Sequence, residues 1–153
     1  MSHATRLASH IERTITGPMW HGPALNDVLD SVTHKHAAAR PIPSAHSIWE
    51  LVLHVTAWAD IARARVYGES TGDPSPDEDW PPVTVTDPEA WQLALNHMRE
   101  SYRELAGVAR ELDDDRLDVA VPGLDYPVGI LLQGIVEHGT YHAGQIALLR
   151  KML

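Results

Sequence analysis

The chain has 153 residues, 44% of them hydrophobic, which suffices for one domain with a buried core and is too short for two. Its net charge is -9 with histidine neutral, and no run of Lys or Arg gathers on one face, so nucleic acid and anionic membrane are poor partners. Cysteine is absent, which excludes disulfides, thiolate ligands and a cysteine nucleophile and leaves His, Asp and Glu for any metal.

Residues 1–16 lack a long apolar segment and nowhere do about 18 apolar residues run together, so the expectation is a soluble, cytoplasmic protein. Helix-length periodic segments alternate with Pro-rich breaks, without a solenoid repeat. A first helical region is predicted over residues 2–32, interrupted near Gly17-Pro18 and restarting at Gly22-Pro23, with Leu25, Leu29 and Val32 facing inward. After a break over 34–45, Ser47-Ile48-Trp49-Glu50 has the form of a capping box and opens a second helix that runs to about Val66. One inner stripe of this helix is Ile48, Val52, Val55, Ala59, Ala62 and Val66, and the adjoining one is Leu51, His54, Trp58 and Ile61. His54 therefore faces the core.

Residues 68–86 carry Pro74, Pro76, Pro81 and Pro82 among acidic side chains and read as a crossing loop unable to sustain a helix. Asp87-Pro88-Glu89 then opens a third helix, with a seam of Trp91, Leu95, Met98, Tyr102, Leu105, Ala109 and Leu112. A polar connection over 113–126 leads to a last helix from about Pro127. Four helical regions with one long connection predict an all-α, single-domain four-helix bundle over residues 1–153, its crossover lying between the second and third helices.

The last helix carries the chemistry. Its inner face is Leu131, Ile135, His138, His142, Gln145, Leu149 and Met152, spaced alternately four and three apart. Two imidazoles and an amide thus point into a bundle, where each unpartnered polar group costs roughly 1–3 kcal/mol. One turn separates His138 from His142, close enough for both rings to reach one ion, and His54 is the sole other histidine on an inner helical stripe. Three neutral imidazoles bind a borderline divalent cation such as zinc, nickel or iron and leave positions open for water or substrate. The competing reading is a polar network around buried water.

Around this triad the roles are less determined. Gln145 serves as an orienter of His142 or merely caps a helix contact, and Glu50 either caps its helix or accepts from His54. Trp80 reads as a lid over a pocket mouth or as a staple holding the loop to the bundle. His21 lies on the inner side only if a helix reaches back that far. His3, His10, His34, His36, His46 and His97, and the cluster Asp73, Asp77, Glu78 and Asp79, are read as solvated.

The segments AHSIWELVLH, ending at His54, and EHGTYHAGQI, containing His138 and His142, resemble the DinB-like (YfiT-like) family of metal-binding helical bundles. The resemblance implies up-down-down-up connectivity, association as a homodimer, and a divalent ion, zinc or nickel, on His54, His138 and His142. It further implies a metal-dependent transferase acting on an electrophilic small molecule with a low-molecular-weight thiol, whose metal-lowered pKa yields the attacking thiolate. No basic cluster for an anionic cofactor stands out, with Arg40 and Arg63 the only candidates. Two alternatives remain: a hydrolase in which Glu50, Glu137 or His21 is the base, and a non-enzymatic, stress-linked metal- or ligand-binding protein.

Overall fold

The computed structural model describes residues 1–153, and all of its regular structure is helical. Four long helices form the bundle: α1 (His3–Thr16), α4 (Ile48–Tyr67), α6 (Pro88–Glu111) and α7 (Val128–Arg150). Short helices punctuate the connections: α2 (Leu25–Leu29), α3 (His34–Ala38), α5 (Pro76–Asp79) and a 3-10 turn over Asp114–Asp118.

Helix starts follow the local chemistry. At α4, Ser47 Oγ accepts from the Glu50 N–H while the Glu50 carboxylate accepts from the Ser47 N–H at 2.7 Å, the two bonds of the capping box. Glu50 is thereby a capping residue, turned away from His54. Asp87 caps α6 through the Ala90 N–H at 2.8 Å, with Pro88 in the first turn. At the end of α4, Gly68 takes the left-handed conformation, φ 75°, that a side chain would resist.

Three predicted boundaries shift. Residues 34–38 of the predicted break form α3, because the Thr33 side chain caps the His36 N–H. Within the Pro-rich crossing, Ser75 and Glu78 make a second capping box with Pro76 at the first position, and one helical turn results. The last helix stops at Arg150, which leaves Met152 beyond it and exposed, so the inner face ends at Leu149.

The core is one cluster of 35 buried residues drawn from all four long helices. Around its axis α1 packs on α6 and α7, and α4 packs on α6 and α7, leaving α1 and α4 diagonal. Contacts at the ends fix direction. The N–H groups of His3 and Ala4, at the start of α1, donate to Asp114, just after the end of α6. Arg116 donates to the Val66 carbonyl near the end of α4, and Gly129 at the start of α7 abuts the Leu117 carbonyl. The starts of α1 and α7 thus share one end of the bundle with the finishes of α4 and α6. That is up-down-down-up order, and the 68–87 connection is the crossover between parallel neighbours.

α7 also packs sideways in a way that aims its histidines. A Cβ at Gly139 would lie 2.6 Å from Thr14 Cγ2 and 2.8 Å from Tyr102 Oη, so only glycine lets α7 approach α1 and α6 this closely. With Gly139 against that wall, its neighbours His138 and His142 turn toward α4.

Candidate metal centre

His54 comes from the middle of α4 and His138 and His142 from successive turns of α7. Their Nε2 atoms converge: that of His138 lies 2.9 Å from His54 Nε2 and 3.0 Å from His142 Nε2. All three ligand atoms lie within 4.8 Å of one another. A cation about 2.0–2.1 Å from each nitrogen sets neighbouring donors about 2.9–3.4 Å apart, for right-angled to tetrahedral arrangements. Both distances from His138 fall in that range.

The far side of each ring decides which nitrogen keeps its lone pair. His54 Nδ1 lies 2.6 Å from the Asp79 carbonyl, which can only accept, so the proton of His54 sits on Nδ1. His142 Nδ1 donates in the same way to Gln145 Oε1 at 2.6 Å. Both rings then present Nε2 lone pairs to His138 Nε2, which has at most one proton to share between them. His138 Nδ1 is buried without a partner. Three converging acceptors with too few protons make a donor set that a cation satisfies.

Electrostatics point the same way. Burial pushes the His138 imidazole down to about 3, reinforced by His142 and His54, and burial likewise holds His54 and His142 below the ordinary histidine range. All three are neutral at pH 7 and need no deprotonation before coordinating.

The triad lies in the wall of a cavity of about 640 Å³ whose sides include Trp58, Trp80, Tyr126, Ile130, Ile135 and Tyr141. The crossover adds Asp79 and Trp80 to this wall. Trp80 is sandwiched between His46 and His54, with ring centroids 3.6 and 3.7 Å away and planes within 8° and 4° of parallel. It is therefore a staple that also covers the site. Asp79 Oδ1 accepts from Trp58 Nε1 at 2.7 Å while its carbonyl holds His54.

Several residues read as solvated belong here instead. His46 is half exposed yet stacks on Trp80, and Asp79 contributes two of the hydrogen bonds that organise the pocket. The Ser75 capping box, with Glu78 three residues on, was the available signal that this acidic run folds back. Other candidates fall outside. His21 is exposed, Glu137 is exposed and accepts from Gln133, and Arg40 is bound to Glu50 and the Ala45 carbonyl. Arg63 pairs with Asp60 and Glu104.

An all-helical bundle with three inward histidines above a small-molecule cavity is the class of protein that the fold and the site define. A family model described as the DinB superfamily matches residues 20–146, and the chain belongs to that superfamily. No curated protein and no solved structure matches it. None of its helices is long and apolar enough to cross a membrane.

Proposed function

We propose that this chain is a metal-dependent transferase in which His54, His138 and His142 hold a divalent ion, zinc or nickel, beside a pocket for a small electrophilic substrate. The observation that carries the reading is the convergence of three neutral imidazole Nε2 atoms in the wall of a largely apolar cavity. An ion held there would act as a Lewis acid, lowering the pKa of a low-molecular-weight thiol so that its sulfur is nucleophilic near neutral pH.

The residues of the chain do the remainder. Asp79 and Gln145 orient two of the three rings through Nδ1, and Trp80 shields the outer face of His54 from water. Trp58, Ile135 and Tyr141 offer apolar surface to the electrophile. The hydrolytic alternative is less well supported because Glu50, Glu137 and His21 all lie outside the pocket lining. The same reading takes residues 1–153 as one domain and a second copy of the chain as its partner.

The test is to load the purified protein with zinc or nickel and offer small thiols with a chlorinated nitroaromatic electrophile. Thiol consumption above background in wild type, abolished in His54→Ala with helical content retained, is the expected result. Equal rates in both proteins, or ester cleavage without thiol consumption, would overturn it.

A further inference from the structure

Arg65 lies on α4 two and three turns beyond Trp58 and His54, and it is 3% exposed. A guanidinium this deep ordinarily has a carboxylate partner. Here none lies within 4.0 Å of it. Its Nη2 donates to the Gly72 carbonyl at 2.6 Å, its Nε has no partner, and its plane sits 5.3 Å from the Trp58 ring. Its remaining contact is the informative one: Nη1 donates to Tyr126 Oη at 2.8 Å.

Tyr126 stands at the base of a tight reversal before α7, closed by hydrogen bonds from Val121 N–H to the Tyr126 carbonyl and from Val128 N–H to the Val119 carbonyl. Tyr126 is one of the residues that line the histidine cavity. The phenol oxygen is both donor and acceptor, and Arg65 occupies it as acceptor. No acceptor in the protein takes the phenolic proton. Tyr126, a residue of the pocket wall, therefore carries an uncommitted phenolic proton next to a buried cation that lacks a counter-ion. The nearest acid of the wall, Asp79, is committed to Trp58 and His54.

We propose that Tyr126, backed by Arg65, is a carboxylate-binding subsite within this cavity and selects substrates that carry an anionic oxygen on an apolar body. A charge-assisted O–H···O⁻ bond strengthened by the guanidinium behind it would supply the counter-charge that Arg65 lacks. Trp58, Trp80 and Ile135 would pack against the apolar part. The proposal rests on the reading that this cavity is the substrate site, and it assigns the polar anchor that the histidine triad does not provide.

The experiment is calorimetric titration of benzoate and of benzyl alcohol, a neutral ligand of similar size, into wild type and Tyr126→Phe, each metal-free and cobalt-loaded. Benzoate affinity is expected to fall at least tenfold in Tyr126→Phe in both metal states, with benzyl alcohol unaffected. Arg65→Lys keeps the charge but loses the fork that grips the phenol, and supplies a second variant with the same expected direction should Tyr126→Phe fold poorly. Equal benzoate affinity in wild type and variants, an equal fall for both ligands, or failure of wild type to bind benzoate would overturn the subsite. The visible cobalt spectrum of the same samples reports separately on the triad: its absence beside intact benzoate discrimination would refute the metal reading and leave the carboxylate subsite standing.

Discussion

Two glycines five residues apart on α7 allow the packing that aims the histidines to be measured. In Gly144→Ala the new Cβ meets nothing within 4 Å, so the change should stabilise the protein by about 1 kcal/mol through helix propensity alone. In Gly139→Ala the same propensity gain applies, but the Cβ falls 2.6 Å from the Thr14 methyl and 2.8 Å from the buried Tyr102 oxygen. Neither neighbour can swing clear, since both are packed in the core, so α7 must move outward or the neighbours must leave their rotamers. Overpacking of this kind costs about 1–3 kcal/mol. Propensity cancels when the two variants are compared, so Gly139→Ala should be less stable than Gly144→Ala by the overpacking term alone. Thermal unfolding of the chelated proteins reads this directly, at roughly 2–4 °C per kcal/mol for a chain of this length. Because the displaced segment carries His138 and His142, Gly139→Ala should also bind metal more weakly. A melting temperature for Gly139→Ala equal to or above that of Gly144→Ala would refute the reasoning.

The candidate metal centre yields further expectations. Elemental analysis after purification without chelating resin should find about one divalent ion per chain, falling sharply in His138→Ala and His142→Ala, whereas a folded wild type that takes up neither zinc nor nickel would sink the site. Chelation should lower the melting temperature without unfolding the protein, since an ion at a hundredfold excess over Kd adds only about 2.7 kcal/mol and the apolar core remains; an unfolded metal-free chain would contradict this. Gln145→Ala should weaken metal binding by about 10–100-fold, and Asp79→Ala by less, because the backbone carbonyl of residue 79 still accepts from His54; competition with a chromogenic chelator ranks the two. In the metal-free protein, stability should be fully present above pH 6.5 and decline as pH falls toward about 3, because His138 stays neutral in the native state while the unfolded chain takes up its proton. Denaturant midpoints that do not change between about pH 7 and pH 5 would argue against a buried, neutral triad.

The convergence of the three histidines was legible in the sequence because helical periodicity converts spacing into direction: His138 and His142 continue a stripe of Leu131 and Ile135, and His54 lies beside Leu51 and Trp58. The same rule gave the long helices, and the prolines between the second and third gave the crossover. It has no purchase on connections, where direction is set by caps and tertiary contacts. Nothing periodic marks Asp79 as the residue whose carbonyl holds His54, or His46 as the second slice of bread around Trp80. Tyr126 was invisible for the same reason. Arg65 was not: it extends the series His54, Trp58, Ile61 by four residues, so a charge on an apolar stripe stood in plain view. Gly139 escaped notice because closeness between helices is a property of pairs of surfaces, which one strand of sequence does not display.

The division of labour between helices and connections has a consequence for how such a pocket can change. Every atom that converges on the candidate ion is carried by α4 or α7, deep in the bundle, where a change of length would shift a whole helical register. Three further residues of the pocket wall, Asp79, Trp80 and Tyr126, are carried instead by the crossover and by the reversal before α7. Those segments tolerate insertion and replacement at small loop-closure cost, roughly 0.6 kcal/mol for each doubling of length. A lineage built on this plan can therefore vary the part of the pocket wall around Trp80 and Tyr126 while the three histidines keep their helical register.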